Sequence, residues 1–130
     1  MKQVLDYLNG AGTYYLATME GDQPRVRPIG FVMDCDAKLT FCTGNEKNRG
    51  RQLAAHPKVE IACYIGEGNT LRISGRAVFS TTAETQRKAL EAMPALKDLY
   101  AVGDGVFETY HLEEATAILS NMNGTRVELA

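Results

Sequence analysis

The chain has 130 residues, 45% of them hydrophobic and 23% charged, with a formal net charge of -2. This length favours one domain over residues 1–130, large enough to bury roughly 65–70% of its unfolded surface without a metal or disulfide. The slight acidity argues against a nucleic-acid coat or a binder of membrane surfaces. No apolar run nears the roughly 20 residues that span a bilayer, and Asp6 interrupts any signal-peptide core. A soluble, cytoplasmic protein is expected.

Lys2 to Asn9 places Val4, Leu5 and Leu8 on one helical face, with Gly10 as a stop. The period then changes to two. Thr13 to Glu20 reads as a strand ending at the turn Gly21-Asp22, and Arg25 to Met33 as a second strand. Asp34 to Ala37 turns into a third, Leu39 to Thr43. Glu46 to Ala55 reads as a helix that stops ahead of Pro57. Val59 to Ile65 and Leu71 to Phe79 are strands around the loop Gly66-Glu67-Gly68-Asn69. Thr81-Thr82-Ala83-Glu84 has the form of a capping box for a helix reaching Met93, with a shorter helix over Ala95 to Tyr100. Val106 to Leu112, Ala115 to Met122 and Thr125 to Leu129 complete the strands, the last two flanking the hairpin signal Asn123-Gly124. Short strands dominate, with helices inserted between pairs. That pattern predicts a mainly β fold, a small closed or split barrel with peripheral helices.

Two stretches carry chemistry. In a strand, Arg25 and Arg27 share a face with Ile29 and Phe31. Buried arginines need an anion, Pro28 suits an edge or an opening, and Gly30 admits close approach. The spacing fits either a strand lined for an anionic, partly flat ligand or arginines standing in solvent. The second stretch, Phe41 to Arg51, ends a strand in Thr43-Gly44-Asn45 and enters a helix. Lys47, Arg49 and Arg51 oppose the dipole at that helix start, which is unfavourable unless an anion is present. Arg25 to Lys58 holds seven basic and three acidic residues, while Glu84 onward holds eight acidic and four basic.

Cys35, Cys42 and Cys63 form no Cys-x-x-Cys motif, and with only His56 and His111 available no metal site is expected. Cys42 and Cys63 read as small buried hydrophobes. Glu113-Glu114 reads as a solvated turn, His56 as a residue at a helix end, His111 as a ring packed in the barrel. No residue stands out as a general acid or base.

Taken in order, Tyr15-Leu16-Ala17-Thr18, Gly21 to Gly30 (GDQPRVRPIG), Leu39-x-Phe41-x-Thr43, Lys47, Pro57-Lys58-Val59, Leu71-Arg72-Ile73-Ser74-Gly75 and Pro94-x-Leu96-Lys97-x-Leu99-Tyr100 form an ordered set. The set resembles the pyridoxamine 5'-phosphate oxidase-related family of FMN-binding split barrels, in the short form labelled nitroimidazole-resistance-like. The resemblance implies a six-stranded Greek-key split barrel and a homodimer with FMN at the subunit interface. It implies an oxidoreductase acting on a small molecule, with an FMN or haem-type carrier and a deazaflavin-dependent reductase as alternatives. The implied cofactor-binding residues include Arg25, Val26, Arg27, Pro28, Ile29 and Gly30, with Arg27 to Gly30 along the flavin ring. Thr43 would lie near the phosphate and ribityl chain, Lys47 and Asn48 at the phosphate, and Thr70 against the flavin from the other subunit. The chain departs from vitamin-B6 oxidases of the family at Val32, where they carry a lysine, and at Lys47-Asn48-Arg49, where they carry Ser-Arg-Lys. It also ends at Ala130 without their C-terminal arginine and histidine, so turnover of pyridoxine 5'-phosphate is not expected. Neither histidine matches the one implied for nitroimidazole reductases.

Overall fold

A computed structural model describes residues 2–129. Eight strands form one antiparallel sheet that does not close. They are β1 (Tyr14–Glu20), β2 (Gln23–Ile29), β3 (Met33–Cys35), β4 (Lys38–Gly44), β5 (Lys58–Gly66), β6 (Asn69–Phe79), β7 (Phe107–Ser120) and β8 (Arg126–Glu128). Helices α1 (Lys2–Ala11), α2 (Asn48–Ala55) and α3 (Ala83–Ala92) lie outside the sheet, and a 3-10 turn (Pro94–Asp98) follows α3. The strand order is β2-β1-β5-β6-β7-β4-β3, with β8 added to β7. The hairpins β1–β2, β3–β4 and β5–β6 are local, whereas β1–β5 and β4–β7 join distant segments. This is the mainly β split barrel expected from the sequence.

Period-two burial builds the main core. Tyr14 and Leu16 of β1, Ile61 and Cys63 of β5, and Leu71 and Ile73 of β6 point inward with Phe41 and Tyr110. Val4 and Leu8 of α1 and Leu53 of α2 join this core. A second cluster, including Phe31, Cys42, Leu90 and Phe107, sits under α3. All three cysteines are buried and unpaired.

Several elements depart from the expected boundaries. Gly10 continues α1, and Gly12, at φ 75°, stops it. The expected strand Arg25–Met33 breaks after Ile29, because Tyr14 accepts Ile29 as its last pairing partner and Gly30 to Val32 leave the ladder. Phe31 therefore does not share a strand face with Arg27. Helix α2 starts at Asn48, with Lys47 as an N-cap that makes no side-chain bond. The capping box of α3 is Thr82 with Thr85, one residue later than expected. The Thr82 hydroxyl accepts from the Thr85 N–H at 3.0 Å, while Thr81 is drawn away to Glu108 and the Thr109 N–H. Ala95–Tyr100 is a 3-10 turn over Pro94–Asp98. The two strands expected around Glu113-Glu114 are one strand, β7. Glu114, at φ 53°, absorbs a register shift against Arg76, and that arginine pairs with both carboxylates at 3.1 Å.

Candidate functional site

Where β2 passes toward β3, the chain leaves the sheet and a cleft of about 200 Å³ opens against β4. One wall is Pro28 to Phe31, and the floor is Cys42 and Thr43. Lys47 and Arg49 stand at one end. Met93, Leu96, Leu99 and Tyr100, from the segment after α3, form the other wall.

The cations are placed by the strand-to-helix turn. The Arg49 Nε donates to the buried Thr43 hydroxyl at 3.1 Å, which brings the guanidinium back over β4. Gly50 makes this turn possible, since a Cβ there would fall 2.8 Å from the Gly44 carbonyl oxygen. Lys47 Nζ lies 5.9 Å above the Tyr100 ring, a cation–π contact. Tyr100 is itself stacked on Phe107 at 4.6 Å. Arg27 donates to the Thr18 hydroxyl at 2.6 Å and to Gln52 Oε1 at 2.7 Å, tying β2 to β1 and α2. Burial first, and the charge of Arg49 second, push its pKa down. Among the described residues, none of Arg27, Lys47 and Arg49 has a carboxylate partner within ion-pair distance. Cations gathered without a carboxylate have the chemistry to receive an anion.

Three buried titratable groups, Cys42 at the floor and Tyr14 and Tyr110 in the core, hold their protons more tightly than in water. Burial pushes the Cys42 thiol up to about 11, partly offset by Arg49 and Lys47, so it stays protonated at neutral pH. Burial likewise raises Tyr14, whose hydroxyl donates to the Phe31 carbonyl oxygen, and Tyr110.

Of the residues singled out from the sequence, Pro28, Ile29, Gly30, Thr43 and Lys47 line the cleft together. Arg27 stands one position behind, held by Thr18 and Gln52. Arg25 pairs with Glu20 at 2.9 Å on the surface, and Val26 is exposed on the outer face of the sheet. Asn48, the first residue of α2, lines a neighbouring hollow with Met19, Gly21 and Gln52. Thr70 pairs with Ser120, eleven residues along β7 from the Thr109 that faces Cys42. That is roughly 35 Å of strand, so one chain does not bring Thr70 to the cleft. His111 lines a separate hollow beside Cys35, Lys38 and Lys88, with Nε2 3.1 Å from Glu113. His56 sits at the C-cap of α2. Sequence reasoning counted Arg49 among the cations of the helix start without naming it a cofactor contact, and it did not assign Cys42 or the wall Met93 to Tyr100 to the site. The pattern Pro94-x-Leu96-Lys97-x-Leu99-Tyr100 was the available signal for the wall.

A family model described as pyridoxamine 5'-phosphate oxidase matches residues 1–114. Among solved structures, the chain is similar to a NimC/NimA family protein from Clostridium acetobutylicum. The identity is 36%, the match covers 99% of this chain and 93% of that one, and the TM-score is 0.92. It shares its fold with a pyridoxamine 5'-phosphate oxidase-related, FMN-binding protein from Nostoc punctiforme, at 15% identity, 98% and 93% coverage and a TM-score of 0.64. It also shares it with a heme binding protein from Mycobacterium smegmatis, at 17% identity, 96% and 56% coverage and a TM-score of 0.72. No curated protein matches the chain. The split in the sheet, the cationic strand-to-helix turn beside it and a model match over most of the length agree: the chain belongs to the pyridoxamine 5'-phosphate oxidase family.

Proposed function

We propose that the protein binds FMN in this cleft as a homodimer and is an oxidoreductase acting on a small molecule. The carrying observation is the division of the cleft. Lys47 and Arg49 line one end of it without a carboxylate, with Arg27 one position behind on Thr18 and Gln52, and Pro28, Ile29, Phe31, Met93 and Leu96 give an apolar remainder. A phosphate suits the first and a flat ring the second. A Cβ at Gly30 would meet only the Gly12 carbonyl oxygen, at 3.5 Å, so the backbone there is open to a ring. Thr43 and the first turn of α2, with Asn48, belong to the phosphate end. When bound, the flavin supplies the electron chemistry, while the chain binds it, orients it and excludes water.

The homodimer is supported by size and by surface. About 200 Å³ is below the roughly 300–1,000 Å³ of sites that enclose a ligand of this kind. Strand alternation and register place Val26, Tyr15, Tyr64 and Thr70 on one outer face, and the first three are exposed apolar groups. A second copy against that face would cover them, and Val26 and Thr70 belong to this reading through such a copy, whereas Arg25 points to the other face and stays paired with Glu20. Three unpaired cysteines suit the cytoplasm, and no helix of the described residues is long and apolar enough to cross a membrane. The 69% exposed Leu99 on the cleft rim favours a flat, weakly charged acceptor such as a quinone or nitroaromatic compound. Val32 packs in the main core, so it offers no contact to a second phosphate.

The test is a titration of the purified protein with FMN, riboflavin, a deazaflavin and haem, followed by NAD(P)H-driven reduction of a quinone. FMN is expected to bind far tighter than riboflavin and to support quinone turnover, with no turnover of pyridoxine 5'-phosphate. Equal affinity for FMN and riboflavin overturns the phosphate assignment. Preference for haem or the deazaflavin moves the function to a carrier or to a different reductase.

A further inference from the structure

Tyr110, in β7, is fully buried, and its hydroxyl is the buried side-chain polar atom without a hydrogen-bond partner among the described residues. The ring cannot turn to find one. It stacks on Phe41 at 5.4 Å and 22°, and Phe79 meets it edge-on at 6.1 Å. Tyr14 completes the same aromatic group, 6.0 Å from Phe41, and its hydroxyl is satisfied by the Phe31 carbonyl oxygen. Two buried tyrosines thus share one stack, and one of them is left open. A buried hydroxyl without a partner loses its hydration for nothing in return, so such an atom calls for a partner from outside the chain.

Its place says what that partner is. Tyr110 lies opposite Phe41 in the β4–β7 register, on the face of β4 that also carries Thr43, the cleft residue whose hydroxyl holds Arg49. The charged groups that act on its hydroxyl are Arg49 and Arg27, with the Cys42 thiol beside them. Both guanidiniums are donors only and carry like charge; burial first, and the charge of Arg49 second, lower the pKa of Arg27. A neutral acceptor would leave that repulsion standing, whereas an anion resolves it and takes a third donor as well. A water would take up donors here but would also have to place its own two hydrogens, and Phe41 and Phe79 offer them no acceptor on their sides of the ring.

We propose that Tyr110 is a specificity-determining residue of the cleft: its hydroxyl donates to the anionic group held at the Arg27–Arg49 end and so favours a phosphorylated ligand over its phosphate-free counterpart. This rests on the reading of the cleft as the FMN site. The test is Tyr110→Phe, which keeps the ring and its stacking and removes only the unpartnered hydroxyl. Three readouts are taken on the full chain: FMN affinity, riboflavin affinity, and melting temperature with and without inorganic phosphate. The variant is expected to lose about tenfold in FMN affinity, to bind riboflavin as the wild type does, and to melt no lower than the wild type without ligand. The stabilisation by inorganic phosphate should shrink. A variant that keeps the wild-type preference for FMN over riboflavin overturns the proposal. So does one that melts lower without ligand while keeping that preference, because the hydroxyl then serves an internal water. Wild-type protein that itself fails to separate FMN from riboflavin overturns the reading of the cleft together with the tyrosine's role.

Discussion

Arg49 reaches back six residues to Thr43, and this single bond converts an unfavourable charge at a helix start into a wall of the cleft. It has no second task, and neither does Lys47 above the Tyr100 ring. Arg49→Ala and Lys47→Ala should each weaken FMN binding by about tenfold or more, near 1.4 kcal/mol, with little loss of melting temperature. A titration in which both variants bind normally would place the phosphate elsewhere. Arg27 differs, because it also bonds Thr18 and Gln52, both nearly fully buried. Its removal costs stability as well as affinity. Cys42 governs the alkaline limit. Its thiol titrates at about 11 in the fold against an ordinary 9.0, so the folded chain keeps a proton that the unfolded chain releases between those values. Stability is therefore intact below pH 9 and falls as pH rises toward 11, by an amount on the order of 2 kcal/mol. In Cys42→Ala the decline of melting temperature across that window should flatten. An unchanged slope would assign the loss to the buried tyrosines, whose pKa values are also raised.

Among the elements, α2 is seated tightly against the backbone at the end of β4. A Cβ at Gly50 would stand 2.8 Å from the Gly44 carbonyl oxygen and 3.2 Å from the Asn45 Cα, both backbone atoms that cannot swing aside. Gly50→Ala should cost about 1–3 kcal/mol and lower FMN affinity, since Lys47 and Arg49 shift with the helix. Gly10→Ala is the control: nothing lies within 4 Å of its Cβ inside α1, and it should stabilise by about 0.5–1 kcal/mol. Equal melting temperatures for the two variants would show that α2 tilts freely on β4. Elements were legible in the sequence where local chemistry decides them. The β7–β8 hairpin at Asn123-Gly124 and the stop of α2 before Pro57 are of this kind. They were illegible where a distant partner decides. Thr81 has the same side chain as Thr82, and only the nearness of Glu108 withdraws it from capping. Glu113-Glu114 carries turn chemistry, yet pairing with β6 and the double ion pair to Arg76 carry the strand through it.

The whole molecule has an open barrel with a cleft of about 200 Å³, which on the proposed reading a second copy completes. In sedimentation the protein should run as a dimer, and Val26→Asp with Tyr64→Asp should yield a monomer that also loses FMN. A wild-type monomer that binds FMN tightly would contradict this. Half of the cleft was legible from the chain, because Pro28 to Gly30, Thr43 and Lys47 break local rules in consecutive segments. The other half comes from Met93 to Tyr100, some 50 residues further on, as apolar residues that read as ordinary core. Their position depends on how α3 packs on β3 and β7, which no local pattern encodes.

The outer edge of the sheet is β2, and it carries Pro24 and Pro28. A proline can sit there only with its missing N–H directed away from β1. Of the three residues of that parity, Pro24, Val26 and Pro28, Val26 alone still has an N–H to offer a passing chain. Arg25 and Arg27 interleave with them. The strand is thus a poor template for strand-by-strand growth into fibrils, even in protein stripped of ligand. For the proposed homodimer this edge favours side chain packed against side chain across the sheet face, an association that would end at a closed pair.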